Sequence, residues 1–275
     1  MKKVFFLCSL SFMTTAAIAE SAPPPPPCGA QPAFQGFSLG GTLGWGGGTA
    51  RVTDVTNLAP HTVGITNTQF QTSTSATSLD ISGLNGGLIA GYLQRFGPWG
   101  LGVDFLANWT SMNNSQTSTK ASPFLGLPGT SSFQSYCLQV GLKNSLQLRG
   151  VFSYVVANVL MPKIILGWDS SQYSFANTSN YYNNSFGAST SWSPSVSGNK
   201  RLNGFLWGAG LDFLIAKDVV CGLEYTGVQS QKVTLSSSST GTTRNLANIA
   251  PLSATSTVTL APYYSTFKAT LKYMF

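Results

Sequence analysis

The apolar residues of this chain alternate with small or polar ones instead of gathering into long runs, and this constrains its fold more than any other feature. Phe37, Leu39, Leu43 and Trp45 share one parity, while Ser38, Gly40, Thr42 and Gly44 take the other. Leu101, Val103, Phe105, Ala107 and Trp109 repeat the scheme, as do Phe205, Trp207, Ala209, Leu211 and Phe213. The C-terminal set is the clearest: Phe267, Ala269, Leu271, Tyr273 and Phe275 alternate with Lys268, Thr270 and Lys272. A period of two puts one set on each face of a β-strand. Beyond residue 19 nothing approaches the ~18 consecutive apolar residues that a membrane-crossing helix needs.

The alternation predicts eight strands, at about 36–46, 80–94, 99–110, 136–154, 160–170, 201–215, 219–229 and 258–275. Three connections are tight turns, at 95–98, 155–159 and 216–218. Between them lie long Ser-, Thr- and Asn-rich segments at 47–79, 111–135, 171–200 and 230–257, read here as loops. Short and long connections alternate strictly, as in an up-and-down antiparallel sheet whose long loops share one rim. An additional hairpin within Val52–Phe70 or Val233–Leu260 would make ten strands.

The N-terminus reads as an address. Lys2 and Lys3 precede a short apolar segment that ends in Ala17-Ile18-Ala19, a small-x-small cleavage pattern. Residues 1–19 are therefore expected to be a cleaved signal peptide. Residues 20–35, with five consecutive prolines at 23–27, form a stiff polyproline spacer, and 36–275 form the barrel. Export, an even strand number and alternating long and short connections together predict an all-β, eight-stranded antiparallel up-and-down transmembrane β-barrel in a bacterial outer membrane. In lipid an open sheet edge is untenable, so the sheet must close.

Charge supports this sidedness. Charged residues are only 8% of the chain, against roughly a quarter in an ordinary soluble domain. Those within strands fall on the parity opposite to the apolar rows: Asp104, Lys143, Arg149, Lys163, Asp169, Asp212, Glu224, Lys268 and Lys272. They are assigned to an inward charge layer, with Asp104 facing Arg149, Lys163 facing Asp212, and Glu224 facing Lys268 or Lys272. A buried ion is costly unless paired, so salt bridges are expected. An eight-stranded interior is just wide enough for side chains to fill it. Structural packing is thus favoured over a narrow, slightly anion-preferring channel. No Lys/Arg run tracks phosphates, so nucleic acid is not an expected partner.

No catalytic, metal or cofactor constellation emerges. His61, the only histidine, lies in the first long segment with no legible partner. Once the signal is removed, Cys28, Cys137 and Cys221 remain, at spacings that match no metal motif. One disulfide with a spare thiol and three unpaired cysteines both fit.

The run Ser145–Tyr154, with its Arg149-Gly150 pair and Tyr154 closing the strand, is followed by Leu160-Met161-Pro162-Lys163 and the Gly167-containing strand. This resembles the fourth and fifth strands of the small OmpA-like, opacity-type outer-membrane β-barrel family. Trp207–Phe213, Ala216-Lys217-Asp218 and Gly222–Tyr225 resemble its sixth and seventh strands. The family usually carries a second Arg two places after Arg149; this chain has Val151. The resemblance implies an envelope-stabilising or host-contacting surface protein. It also implies a terminal signal, Tyr273 and Phe275, read by the barrel-assembly machinery.

The expected function is non-enzymatic: envelope structure, surface adhesion, or both. The expected partners are outer-membrane lipid and, through the loops, a host surface or phage. Tyr173, Phe175, Tyr181, Tyr182, Phe186 and Trp192 in the third long segment are the candidate contact residues. A small-solute pore is the alternative, followed by a lipid-modifying enzyme using His61.

Overall fold

The computed structural model describes residues 34–58, 72–122, 131–185, 188–193, 195–244 and 249–275. The signal segment, the proline run, Cys28, His61 and Phe186 lie outside the described residues.

Every regular element among the described residues is a β-strand. They are β1 (Gly36–Leu58), β2 (Thr72–Phe96), β3 (Trp99–Ser122), β4 (Ser131–Tyr154), β5 (Leu160–Ser185), β6 (Ala188–Trp192), β7 (Ser195–Ala216), β8 (Val219–Ser230), β9 (Val233–Arg244) and β10 (Ile249–Met274). All pairings are antiparallel, and β1 closes the ring on β10 from Ser38↔Met274 to Leu58↔Ala254.

The ten strands fill eight positions. β8 and β9 are successive halves of one wall strand: β8 pairs with residues 263–273 of β10, and β9 pairs with residues 249–260. β6 is a short return from β5 that bridges β5 to the end of β9. The expected eight-stranded antiparallel barrel is the observed fold.

The strands are far longer than the alternation predicts. β2 has 25 residues, β5 has 26 and β10 has 26, whereas crossing a bilayer takes about 9–11. Much of 47–58, 72–79, 111–122, 171–185 and 233–244, read from sequence as loop, is wall. The reason is a reversal of polarity along each strand. Low on β1, Leu43 and Trp45 are exposed; higher up, Ala50 and Val52, on the other parity, are buried. The same exchange occurs on β2 (Leu84 and Leu88 out, Leu79 and Ile81 in), β5 (Leu166 and Trp168 out, Tyr173 and Phe175 in) and β10 (Leu271 and Phe267 out, Leu260 and Val258 in). The lower barrel is apolar outside and polar inside, and the upper barrel is the reverse. A single continuous parity of apolar residues ends where the polarity turns over, so alternation marks only the lower part of each strand.

β4 makes the exchange differently. A bulge between Leu142 and Asn144 shifts the register against Tyr173 and Gln172. Leu148 and Phe152 face out below it, while Leu138, Val140 and Leu142, of the same parity, face in above it. One extra residue in a strand turns everything beyond it to the other face.

The short-turn rim is tight. In the β4–β5 turn Val159 N donates to Val156 O at 3.2 Å, and the two central residues, Ala157 and Asn158, have φ of 51° and 55°. Positive φ at both central positions is the hairpin geometry that suits the twist of the strands.

Candidate functional site

Inward-facing side chains form layers across the barrel. Nearest the short-turn rim lies an apolar lid of Phe34, Val155, Met161 and Val220, with Leu93, Leu214 and Met274 packed against it. Above it is an ionic layer. Arg149 on β4 reaches Asp104 on β3 at 2.9 Å and Glu224 on β8 at 2.7 Å. Lys163 on β5 reaches Asp212 on β7 and Glu224, each at 2.7 Å. Lys272 on β10 adds Asp212 at 3.3 Å. Three cations and three carboxylates thus form one chain of contacts, with the Arg149 and Glu224 side chains fully enclosed.

Asp104–Arg149 and Lys163–Asp212 are the pairs expected from strand adjacency. Glu224 departs from expectation: it faces Lys268 in the ladder, yet its carboxylate binds Arg149 and Lys163. In so narrow a barrel, long side chains from other strands reach a carboxylate as readily as the neighbour opposite. Lys268 is left fully buried, its Nζ without a hydrogen-bond partner among the described residues.

Asp169 takes no part in the ion chain. Its carboxylate accepts hydrogen bonds from Gln147 Nε2 at 3.0 Å, Ser171 Oγ at 2.5 Å and Tyr264 OH at 2.9 Å. Gln147, Ser171 and Tyr264 are neutral, so charge does not mark them. Inward parity beside Asp169 marks Gln147 and Ser171, whereas Tyr264 on β10 reaches Asp169 across the barrel and carries no such signal.

Lys143 is corrected. It sits at the β4 bulge and is exposed on the outer wall, so it does not belong to the inward layer. Without it the inward charges among the described residues are Asp54, Asp104, Asp169, Asp212 and Glu224 against Arg149, Lys163, Lys268 and Lys272; Asp54, high on β1, accepts hydrogen bonds from the buried Asn177 and Ser256. The cationic excess on which the anion-preferring channel rested is gone.

Two apolar layers lie above the polar ones. The first contains Met112, Leu142, Tyr173, Leu202 and Val228; the second contains Ala50, Val52, Ile81, Val140, Phe175 and Leu260. Tyr173 and Phe175, expected as surface contacts, are only 1% and 5% exposed. They lie on β5 where its inner face has become apolar. Tyr182 is exposed, and Tyr181 and Trp192 are backbone register partners in the β5–β6 ladder.

The outer face of the lower barrel is an apolar band edged by aromatic residues. Trp99 lies against Phe152 and Tyr154 with ring centroids 5.3 and 4.8 Å apart, and Tyr273 lies 5.0 Å from Phe275. Trp45, Trp109 and Trp168 mark the other edge. Aromatic girdles of this kind occupy membrane–water interfaces. Cys137 and Cys221 are both free thiols.

No family model and no curated protein matches the sequence. Among solved structures the chain is similar to Ail, the attachment invasion locus protein of Yersinia pestis, at 15% identity over 84% of this chain and 99% of that one, with a TM-score of 0.28. It is similar to Neisserial surface protein A at 9% identity over 83% and 97%, TM-score 0.31. It is similar to the outer membrane protein OprG from Pseudomonas aeruginosa at 12% identity over 88% and 97%, TM-score 0.33. These are distant likenesses, and the functional reading rests on this chain's own geometry.

Proposed function

We propose that this chain is a non-enzymatic bacterial outer-membrane barrel that anchors in lipid by its lower half. Its upper half would stand as a rigid wall beyond the membrane surface, serving envelope structure and surface contact. The observation that carries this reading is the reversal of polarity along the strands. An apolar exterior over a polar interior suits lipid, and a polar exterior over an apolar core suits water. The turnover between them marks a lipid–water boundary partway up the wall. With about half of each long strand above it, the wall would project on the order of 30 Å.

The layered interior favours an anchor over a pore. An apolar lid below and two apolar layers above enclose the ionic chain, and an aqueous path would have to cross all of them. Surface adhesion is supported by the polar Ser, Thr and Asn exterior of the upper wall. Tyr273 near the end of β10 and Phe275 just after it are the proposed assembly signal; both are exposed.

Single-cysteine spin labels in a cysteine-free background test the reading in reconstituted bilayers. Labels at Leu271 should be accessible to membrane-dissolved oxygen, and labels at Ser174 to a water-soluble nickel complex. Labels at Lys272 and Phe175 should be accessible to neither. Oxygen access at Ser174, or nickel access at Leu271, overturns the assignment. For adhesion, cells displaying the full chain should bind a host surface more than cells lacking it; equal binding removes that role.

A further inference from the structure

We propose that the outer wall across β3, β4, β5 and β7 is a docking face for a phosphorylated glycolipid of the surrounding leaflet. The inference rests on the outer-membrane reading and goes beyond it to a ligand.

The strand register aligns outward residues into rows across these strands. Lowest is an apolar row, Leu148, Trp168 and Phe205. Four residues higher, on the order of 13 Å along the strands, lies a row of Asn144, Gln172 and Arg201, with Lys143 exposed at the bulge beside it. Arg201 Nη2 donates to Asn144 Oδ1 at 3.3 Å, and Asn144 Nδ2 donates to Gln172 Oε1 at 3.1 Å. This chain of bonds holds Arg201 across β5 on the Lys143 side.

Immediately above is a cleft of about 540 Å³. One row of it is Asn113, Gly141, Ser174 and Asn199, and the next is Ser115, Gln139, Ala176 and Ser197. Gly141 forms its floor: a Cβ there would lie 3.0 Å from Ser174 Oγ and 3.4 Å from Asn113 Cβ. The cleft offers uncharged amides and hydroxyls, which both donate and accept hydrogen bonds, as sugar hydroxyls require. Between Asp104 and Asp169 the chain has no acid, and there is none in 170–204, so no carboxylate on these four strands' upper wall repels an anion.

Read outward from the bilayer, the wall is apolar, then cationic, then neutral and hydrogen-bonding. A phosphorylated glycolipid has the same order: acyl chains, phosphate, sugars. Lys143 and Arg201 would meet the phosphate, and the cleft would take the sugar beyond it. A glycerophospholipid supplies the first two zones and leaves the cleft empty.

The full chain, refolded into phosphatidylcholine nanodiscs, is offered a bisphosphorylated, hexa-acylated glucosamine-disaccharide glycolipid carrying core sugars, and retained lipid is counted by native mass spectrometry. The expected result is enrichment of the glycolipid by about tenfold or more over phosphatidylcholine. Loss of most of that enrichment is expected with the dephosphorylated glycolipid, with the Lys143→Gln/Arg201→Gln double variant, and with Gly141→Leu. Equal retention of both lipids overturns the inference, as does enrichment unchanged by dephosphorylation. Binding of the deacylated phosphosugar as tight as that of the intact glycolipid also overturns it, by making the ligand soluble. A gel showing heat-modifiable, folded protein accompanies each variant, and the dephosphorylation arm uses the unaltered chain. Failure to insert into bilayers would take down the outer-membrane reading and the inference together; insertion without glycolipid preference removes only the inference.

Discussion

Both carboxylate oxygens of Glu224 are engaged, one by Arg149 and one by Lys163, at 2.7 Å each. Replacing it with Leu would leave two enclosed cations short of a partner. Breaking a buried pair in this way costs about 3–5 kcal/mol, so Glu224→Leu is expected to lower the urea midpoint of the folded barrel strongly. Lys268 is as deeply buried, but its Nζ has no partner among the described residues. Burying an unpaired cation works against folding. Lys268→Met is therefore expected to cost less than about 1 kcal/mol or to stabilise the barrel. The two variants differ in the size of their effect although both remove one inward charge, and urea titration read by the heat-modifiable gel band separates them. An equal loss from both would mean that Lys268 is paired as firmly as Glu224. All but Lys143 of the charges assigned inward were legible in the sequence from their parity. Their partners were not, because the interior is narrow enough for a side chain to bypass the neighbour that the ladder gives it.

Single elements carry two further tests. Lys143 is the extra residue that lets β4 turn its apolar face from outside to inside without changing parity. Deleting it would turn Leu138, Val140 and Leu142 toward water, and the expected outcome is loss of the heat-modifiable form on refolding. Lys143→Ser keeps the residue count and should refold normally. Recovery of the folded band from the deletion would show that the bulge is dispensable. At the opposite rim, Ala157 holds φ 51° in the β4–β5 turn. A left-handed conformation costs a residue with a Cβ about 1–2 kcal/mol, and Gly gives part of that back in unfolded-chain entropy. Ala157→Gly is expected to stabilise by roughly 0.5–1 kcal/mol, seen as a higher urea midpoint. From sequence, 155–159 was visible as a turn; its Ala in a position that favours Gly or Asn was not.

At the scale of the whole molecule, apolar and ionic layers cross the interior among the described residues, and the full chain in a planar bilayer should show no steady conductance in salt solution. Open-channel steps that persist in purified folded protein would overturn the anchor reading in favour of a pore. The sequence by itself left eight and ten strands both open; it determined the strand class, the tight turns of the lower rim and the inward parity of eight of the nine charges assigned to the interior. These follow from local alternation and from the cost of placing an ion against lipid, both written residue by residue. Tertiary structure alone decided how far the strands run, which carboxylate meets which cation, and on which wall face Lys143, Tyr173 and Phe175 stand. Those outcomes depend on where the polarity of the wall turns over and on a single bulge. Each reverses the meaning of parity, and only the closed ring fixes where the reversal falls.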